Sequence, residues 1–151
     1  MLEGAMQAYL DQGGVESDLA VLEAPGAYEL VSVARAAATS SMYGSVVCLG
    51  CVIKGETSHD IHISGAVANG LAQITVQTGV PIAFGVLTTN TNEQALARAG
   101  GEKGNKGAEA MVAALGAADA IASIGQAKSS NTPGVRFTPG FKPNDKLSTH
   151  A

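Results

Sequence analysis

The sequence predicts an α/β protein in which helices cover both faces of a parallel sheet. Two short apolar runs, residues 45–53 and 81–87, have the nearly unbroken hydrophobicity of strands that are buried on both faces. Between and around them lie segments whose apolar residues recur every three or four positions, the spacing of amphipathic helices. Because such segments alternate along the chain, a three-layer α/β/α sandwich is the expected fold class.

The elements are expected in the order α-β-α-β-α-β-α-α. The predicted helices cover 2–10, 28–38, 58–79, 91–99 and 108–124, and the predicted strands cover 18–24, 45–53 and 81–87. The first helix has Leu2, Met6 and Leu10 on one face and ends before Gly13. The first strand ends at the Pro25-Gly26 turn, and an alanine-rich helix follows it.

The second half of the chain contains the more regular patterns. The helix over 58–79 has Val67 and Leu71 on one stripe and ends near Gly79. Residues 100–107 are expected to be a loop that contains glycine and lysine. After Gly125 the composition shifts to Gln, Ser, Asn, Pro and Lys. We therefore expect one α/β domain over 1–125 and a flexible tail over 126–151.

Charge and hydropathy exclude several classes of partner. The formal net charge is −4, and only 15% of the residues are charged. Nucleic acids and anionic membranes reward clustered Lys and Arg, so neither is expected as a partner. No apolar run reaches the roughly 20 residues of a membrane span. The first four residues lack the basic and apolar regions of a signal peptide, so a cytoplasmic location is expected.

Cys48 and Cys51 have the C-x-x-C spacing of redox and zinc sites. A redox motif belongs at the start of a helix, and a zinc site needs a second pair of ligands. Here the two residues lie inside an apolar strand, where alternation points them to opposite faces. We interpret them as small buried hydrophobic residues.

Residues 54–59 are the stretch with the clearest chemical potential. Thr57 and Ser58 lie at the expected N-cap of a helix, just after Gly55. A helix start presents unpaired N–H groups and a partial positive charge, which suit a phosphate. His59 can donate or accept a proton near neutral pH. This combination predicts a site at the carboxyl end of a parallel strand, although many such turns have a histidine without a function.

A metal site is the less favoured interpretation of the same stretch. His59 and His62 have Glu56 and Asp60 close by in the sequence. Zinc on a helix usually takes ligands at i and i+4 and a third from elsewhere, and the chain offers no second cluster. We therefore expect no metal.

A series of short motifs resembles a known family. In chain order they are Pro25-Gly26-Ala27-Tyr28-Glu29, Val52-Ile53-Lys54-Gly55-Glu56-Thr57-Ser58-His59, Phe84-Gly85-Val86-Leu87-Thr88-Thr89, Glu93-Gln94-Ala95 with Arg98-Ala99-Gly100, and Gly104-Asn105-Lys106-Gly107. Together, over residues 2–121, they resemble the 6,7-dimethyl-8-ribityllumazine synthase family of riboflavin biosynthesis. The resemblance implies a flavodoxin-like fold with a parallel four-stranded sheet. Relatives have a central amino-terminal strand that ends in an aromatic residue stacking on the pyrimidine. This sequence contains neither, so either it is a truncated reading of a longer gene or the chain folds with a gap. We expect weak activity for the chain as given.

The resemblance implies a cofactor-free condensation of 5-amino-6-(ribitylamino)uracil with 3,4-dihydroxy-2-butanone 4-phosphate. His59 would be the catalytic residue that transfers protons. The phosphate would be bound by Glu56, Thr57, Arg98 and Lys106. The ribityl chain and the pyrimidine would be bound by Ala27, Tyr28, Glu29, Cys51, Val52, Ile53 and Phe84. In relatives, the counterparts of Arg98 and Phe84 come from a neighbouring subunit.

Several of these residues also have simpler interpretations. Arg98 could cap the carbonyl groups of its own helix, and Glu29 could favour the start of its helix. Phe84 could be an ordinary core residue, and Lys106 a solvated loop charge. The sequence leaves these alternatives open.

The resemblance also implies a homo-oligomer, either a pentamer or a shell of twelve pentamers, with riboflavin synthase as a partner. One alternative is a non-catalytic shell or scaffold protein whose site has decayed. A second alternative is a flavodoxin-like flavin binder. It is weaker, because no G-x-G-x-x-G opens a helix after the first strand.

Overall fold

The computed structural model describes residues 1–129, which form helices around a short parallel sheet. The helices are α1 (Leu2–Asp11), α2 (Leu30–Thr39), α3 (His59–Thr78), α4 (Asn92–Arg98) and α5 (Lys106–Ser129), and Glu16–Asp18 form one 3₁₀ turn. The strands are β1 (Val46–Ile53), β2 (Ile82–Thr89), β3 (Ala99–Gly101) and β4 (Gly104–Asn105). The predicted α/β class is confirmed.

The chain divides into two compact units, Met1–Ala118 and Asp119–Ala151. The first unit contains both sheets and the first half of α5. In the second unit the described residues are helical as far as Ser129, so α5 extends beyond the predicted helix end at residue 124. Residues 126–129 of the predicted tail are thus helical, and the rest of that tail lies outside the described residues.

The parallel sheet is smaller than predicted. β1 pairs with β2 in parallel from Val46↔Ile82 to Ile53↔Thr89, and no other described residue joins this sheet. The predicted strand over 18–24 is wrong, because the 3₁₀ turn ends at Asp18 and residues 19–24 have no regular structure. A strand needs a neighbour to complete its hydrogen-bond ladder, and no described residue pairs with this segment.

Residues 100–107 do not form the simple loop that was expected. They include the turn of an antiparallel hairpin, in which Ala99 pairs with Asn105 and Gly101 with Gly104. Gly100 and Gly104 have φ values of +129° and +85°, which residues with a Cβ rarely adopt. The glycines that indicated a loop therefore allow a tight hairpin.

The core packs on both faces of the β1–β2 sheet. On one face, α2 and α3 contribute Ala34, Val67 and Leu71 to a buried cluster that also includes Val86 of β2. Gly85 points to the opposite face, where an added Cβ would lie 3.1 Å from the Cβ of Ala110 in α5. Helices therefore cover both faces, as the predicted sandwich requires.

One described segment has the length and composition of a membrane span. By length and composition, residues Lys106–Gln126 of α5 could cross a membrane, and only 22% of their most apolar stretch is buried. The expectation that no segment reaches this length is therefore wrong for α5. A single such helix is weak evidence for a membrane span, because helices of soluble proteins can have the same length and composition.

The two cysteines face opposite sides of β1, as predicted. Cys48 is buried in the core, with 4% of its surface exposed. Cys51 is exposed, so the expectation that both are buried is wrong for this residue. It lies near the carboxyl end of the strand.

Burial of Cys48 predicts a pH-dependent loss of stability. Desolvation raises the pKa of its thiol from 9.0 to about 11 in the folded protein. The unfolded chain therefore loses this proton first, and the stabilisation that is present below pH 9 is lost as pH rises towards 11. We expect a contribution of roughly 2–3 kcal/mol to the free energy of unfolding. Urea titrations between these pH values should show a smaller decline for Cys48→Ala than for the parent.

Cys51→Ala is the matched control, because it removes an exposed thiol from the same strand. It should keep the parent's pH dependence. If Cys48→Ala and Cys51→Ala reduce the pH-dependent decline in the free energy of unfolding equally, burial of Cys48 is not the cause of that decline.

Candidate functional site

The predicted site lies where the carboxyl ends of β1 and β2 meet. The backbone N–H of Lys54 donates to the carbonyl oxygen of Thr89 at 2.8 Å, so the two strand ends lie side by side. From this edge the chain passes through residues 54–58 into α3, which begins at His59. The turn and the histidine therefore lie at the edge where parallel sheets bind ligands.

The start of α3 has backbone donors that remain available to a ligand. Ser58 occupies the N-cap position, as predicted, but its side chain makes no capping hydrogen bond. Its carbonyl oxygen accepts from the N–H groups of Ile61 at 3.2 Å and His62 at 3.4 Å. Among residues 1–129, no acceptor bonds the N–H groups of His59 and Asp60. A long helix with uncapped N–H groups attracts an anion.

His59 is exposed at this helix start, together with Glu56 and Thr57. Its imidazole makes no hydrogen bond within the described part of the chain, so both ring nitrogens can reach a ligand. The neighbouring Asp60 is half-buried, and its Oδ1 is buried without a hydrogen-bond partner in that same part. The structure thus places the predicted proton-transfer residue beside the predicted anion site.

The first turn of α2 lies at the same end of the sheet. A Cβ added to Gly50 would lie 3.3 Å from Cδ1 of Leu30, the first residue of α2. Glu29 is the exposed N-cap residue of α2 and makes no side-chain capping bond. A carboxylate at this position also suits the helix dipole, so the helix-start interpretation stays open. Ala27 and Cys51 line one common cavity of about 910 Å³. The other predicted ribityl and pyrimidine residues, Tyr28, Glu29, Val52, Ile53 and Phe84, do not line it.

Two predicted phosphate ligands are engaged elsewhere in the single chain. Nη1 of Arg98 donates to the carbonyl oxygen of Gln94 at 3.1 Å, at the end of α4. Nζ of Lys106 forms an ion pair with Glu109 in the first turn of α5. Within one chain, neither side chain makes a hydrogen bond or ion pair with His59. In the isolated chain, Arg98 therefore caps a carbonyl group of its own helix, as the simpler interpretation predicted.

Phe84 is not an ordinary core residue. It lies opposite Cys48 in the parallel register, four residues before Thr88, and 43% of its surface is exposed. This register places it away from the carboxyl end of β1, so one chain does not bring Phe84 to His59.

Thr89 shapes the edge of the site, although no role was predicted for it from the sequence. Thr89 is buried, and its Oγ1 donates to the carbonyl oxygen of Thr91 at 3.1 Å. Thr91 in turn caps α4 by accepting from the N–H of Gln94 at 3.2 Å, and its hydrogen bond to Glu93 lowers the pKa of that carboxyl group. The Thr91-x-x-Gln94 spacing of a capping box could have indicated this arrangement.

In the range 1–129, no group of three His, Cys, Asp or Glu side chains is arranged to hold a metal ion. His59 and His62 both lie on α3 and are exposed, but no third ligand accompanies them.

Comparisons with known proteins match a range of the chain that includes the residues of this site. The family model described as 6,7-dimethyl-8-ribityllumazine synthase matches residues 1–122. A protein of that name from Deinococcus deserti is 48% identical over 126 residues, which are 83% of this chain and 81% of the relative. Relatives with the same name from Deinococcus radiodurans and Desulfotalea psychrophila are 48% and 42% identical, each over 82% of this chain and 80% of the relative.

Proposed function

The chain belongs to the 6,7-dimethyl-8-ribityllumazine synthase family, and we propose that it catalyses the reaction for which the family is named. It would condense 5-amino-6-(ribitylamino)uracil with 3,4-dihydroxy-2-butanone 4-phosphate in riboflavin biosynthesis. The observation that supports this most directly is the exposed His59 at the uncapped start of α3, beside the carboxyl end of β1.

The residues at this edge match the chemical demands of the condensation. Attack of the amine on the ketone gives a carbinolamine and then an imine, so protons must move between nitrogen and oxygen. His59 can transfer them, because its imidazole makes no bond within the described chain. Phosphate leaves as an anion, which the N–H groups at the start of α3 stabilise. Cys51, Val52 and Ile53 would hold the pyrimidine, and Ala27, Tyr28 and Glu29 the ribityl chain.

We propose that the complete site forms between subunits of a homopentamer. Arg98, Lys106 and Phe84 do not contact His59 within one chain, so a neighbour would supply Arg98 and Phe84. The chain has exposed apolar side chains that an assembly would cover, including Leu96 at 70% and Ile61 at 64% exposure. We also propose that twelve pentamers form a shell, that riboflavin synthase is a partner, and that the protein is located in the cytoplasm. Nucleic acid and membrane are not proposed as partners.

Mixing two inactive variants tests the shared site. His59→Ala and Arg98→Ala should each have little activity, because each removes one half of every site. After joint unfolding and reassembly at equal amounts, about a quarter of the sites should pair an intact His59 with a neighbour's intact Arg98. Steady-state assays of the mixture should therefore show about a quarter of the parent's activity.

A mixture of His59→Ala with an His59→Gln variant is the control, because no combination restores an intact site. If the reassembled mixture of His59→Ala and Arg98→Ala stays inactive, the proposal of a shared site is wrong. If the parent chain binds neither substrate, the enzymatic proposal itself is wrong, and the scaffold alternative takes its place.

A further inference from the structure

Asn105 is the last residue before α5, and its side chain bonds to the start of that helix. Its Oδ1 accepts hydrogen bonds from the backbone N–H groups of Gly107 at 2.9 Å and Ala108 at 3.2 Å. The first N–H groups of a helix have no partner inside it, so Asn105 supplies the cap that α5 needs. This cap fixes the direction in which Lys106, the first residue of α5, leaves the β3–β4 hairpin.

The backbone of Asn105 also closes the β3–β4 hairpin. It pairs with Ala99, the residue that directly follows Arg98. Opposite residues of an antiparallel pair have Cα atoms only about 4.5–5.5 Å apart. Arg98 and Lys106 flank this pair on the same side. They are therefore neighbours at the open end of the hairpin, although the hairpin separates them in the chain.

The hairpin is held against the end of α4, the helix that carries Arg98. The backbone N–H of Lys103 donates to the carbonyl oxygen of Ala97 at 2.8 Å. A Cβ added to Gly101 would lie 2.9 Å from the carbonyl oxygen of Leu96, so the hairpin and α4 are in direct contact. A displacement of the hairpin would therefore also displace Arg98.

The amide group of Asn105 is packed between α1 and the hairpin. A Cβ added to Gly4 of α1 would overlap the Nδ2, Cγ and Oδ1 atoms of this amide, so a glycine is needed at that position. On the hairpin side, Nδ2 lies 3.3 Å from the place of a Cβ on Gly100. Close contacts on two sides restrict the side chain to the rotamer that caps α5.

The residues that Asn105 holds in place are the two cations proposed to bind phosphate. In the single chain, Arg98 bonds to the carbonyl oxygen of Gln94, and Lys106 pairs with Glu109. Both bonds lie at the surface of the single chain. The two side chains can therefore exchange these partners for an anion, while their backbone positions stay fixed.

We propose that Asn105 is a positioning residue of the phosphate subsite, because its cap and its backbone pair fix the relative positions of Arg98 and Lys106. This inference rests on the proposed function, in which both cations bind the phosphate of 3,4-dihydroxy-2-butanone 4-phosphate. Charge-assisted hydrogen bonds to phosphate depend on geometry, and cations held in advance lose less freedom on binding. Asn105 acts through these two residues and does not contact the substrate.

Binding of inorganic phosphate to the full chain tests the proposal without turnover. Asn105→Ala removes the cap, and equilibrium dialysis should give a dissociation constant for phosphate at least about tenfold above the parent's. Asn105→Ser keeps an oxygen that can cap α5, so its dissociation constant should stay within about threefold of the parent's.

Steady-state assays separate positioning from a general loss of structure. Asn105→Ala should raise KM for the phosphate-bearing substrate at least about tenfold and leave KM for the pyrimidine unchanged. Asn105→Ser should restore most of the difference. Equal increases in both KM values would overturn the positioning role.

Thr78→Ala is the matched control for lost hydrogen bonds. Thr78 is half-buried like Asn105, and its Oγ1 donates to the carbonyl oxygen of Ile74 at 2.7 Å and accepts from the N–H of Val80 at 3.2 Å. It lies at the far end of α3 from His59. This variant should melt at a lower temperature and bind phosphate like the parent. If it weakens phosphate binding as much as Asn105→Ala does, the proposal is wrong.

Gly4→Ala perturbs the Asn105 amide without changing that residue. The added Cβ should displace the amide and weaken phosphate binding severalfold. Gly65→Ala is its control, because Gly65 also lies inside a helix but has open space for a Cβ. Phosphate binding that is the same in these two variants would contradict the proposed packing.

The outcomes distinguish this inference from the proposed function. A parent that binds no phosphate, or an Asn105→Ala variant that binds it as tightly as the parent, overturns the positioning role. If the parent and the variants bind phosphate with the expected differences but the parent forms no lumazine, the positioning role stands and the proposed function is wrong.

Discussion

Replacing His59 by alanine lowers kcat for lumazine formation by about 10²–10⁴-fold, the range for loss of a positioned proton-transfer group. The KM for the pyrimidine should change little, because its predicted contacts are the backbone of Cys51 to Ile53 and the first turn of α2. Steady-state assays that follow product absorbance measure both quantities. Imidazole added to the variant should restore part of the activity, because the space at the exposed start of α3 is open.

His62→Ala is the matched control for this prediction. His62 is exposed, lies on the same helix three residues further on and has the same side chain. It should retain most of the parent's kcat. Equal losses for the two substitutions would indicate that α3 had been perturbed, and full activity of His59→Ala would remove the histidine from the mechanism.

Replacing Leu71 by alanine destabilises the fold by about 2–5 kcal/mol, the usual cost of truncating a buried leucine. Leu71 is 2% exposed and lies beside Val67 in the cluster between α2, α3 and the sheet. Because the neighbouring side chains come from several elements, they cannot collapse to fill the gap. Urea unfolding followed by far-UV circular dichroism should show the loss as a lower midpoint with an unchanged slope.

Val76→Ala is the control on the same helix. Val76 is 86% exposed in the single chain, so its truncation should change the free energy of unfolding by less than about 0.5 kcal/mol. A larger loss for Val76→Ala than for Leu71→Ala would contradict the assignment of the core to the inner face of α3.

The elements with strong local patterns were predicted closely from the sequence. The helix expected over 58–79 is His59–Thr78, and Gly79 ends it with a φ of +74°. The strands expected over 45–53 and 81–87 are Val46–Ile53 and Ile82–Thr89. Helix periodicity, apolar runs and glycine caps are properties of neighbouring residues, so they are visible in the sequence.

The candidate site was predictable only where its residues are neighbours in the sequence. The motif around His59 placed Glu56 and Thr57 beside it, because all three belong to one strand-to-helix turn. The bond from Arg98 to Gln94 and the ion pair of Lys106 with Glu109 could not be chosen from the sequence, since each cation had several possible partners.

The sequence by itself determined the α/β class, the main helices and strands, and a histidine at the start of α3. The tertiary structure decided that residues 19–24 lie unpaired, that 99–105 form a hairpin, and that Cys51 is exposed while Cys48 is buried. Local order depends on contacts a few residues apart. Pairing and burial depend on segments distant in the chain, such as β1 and β2, whose relative positions no local pattern specifies.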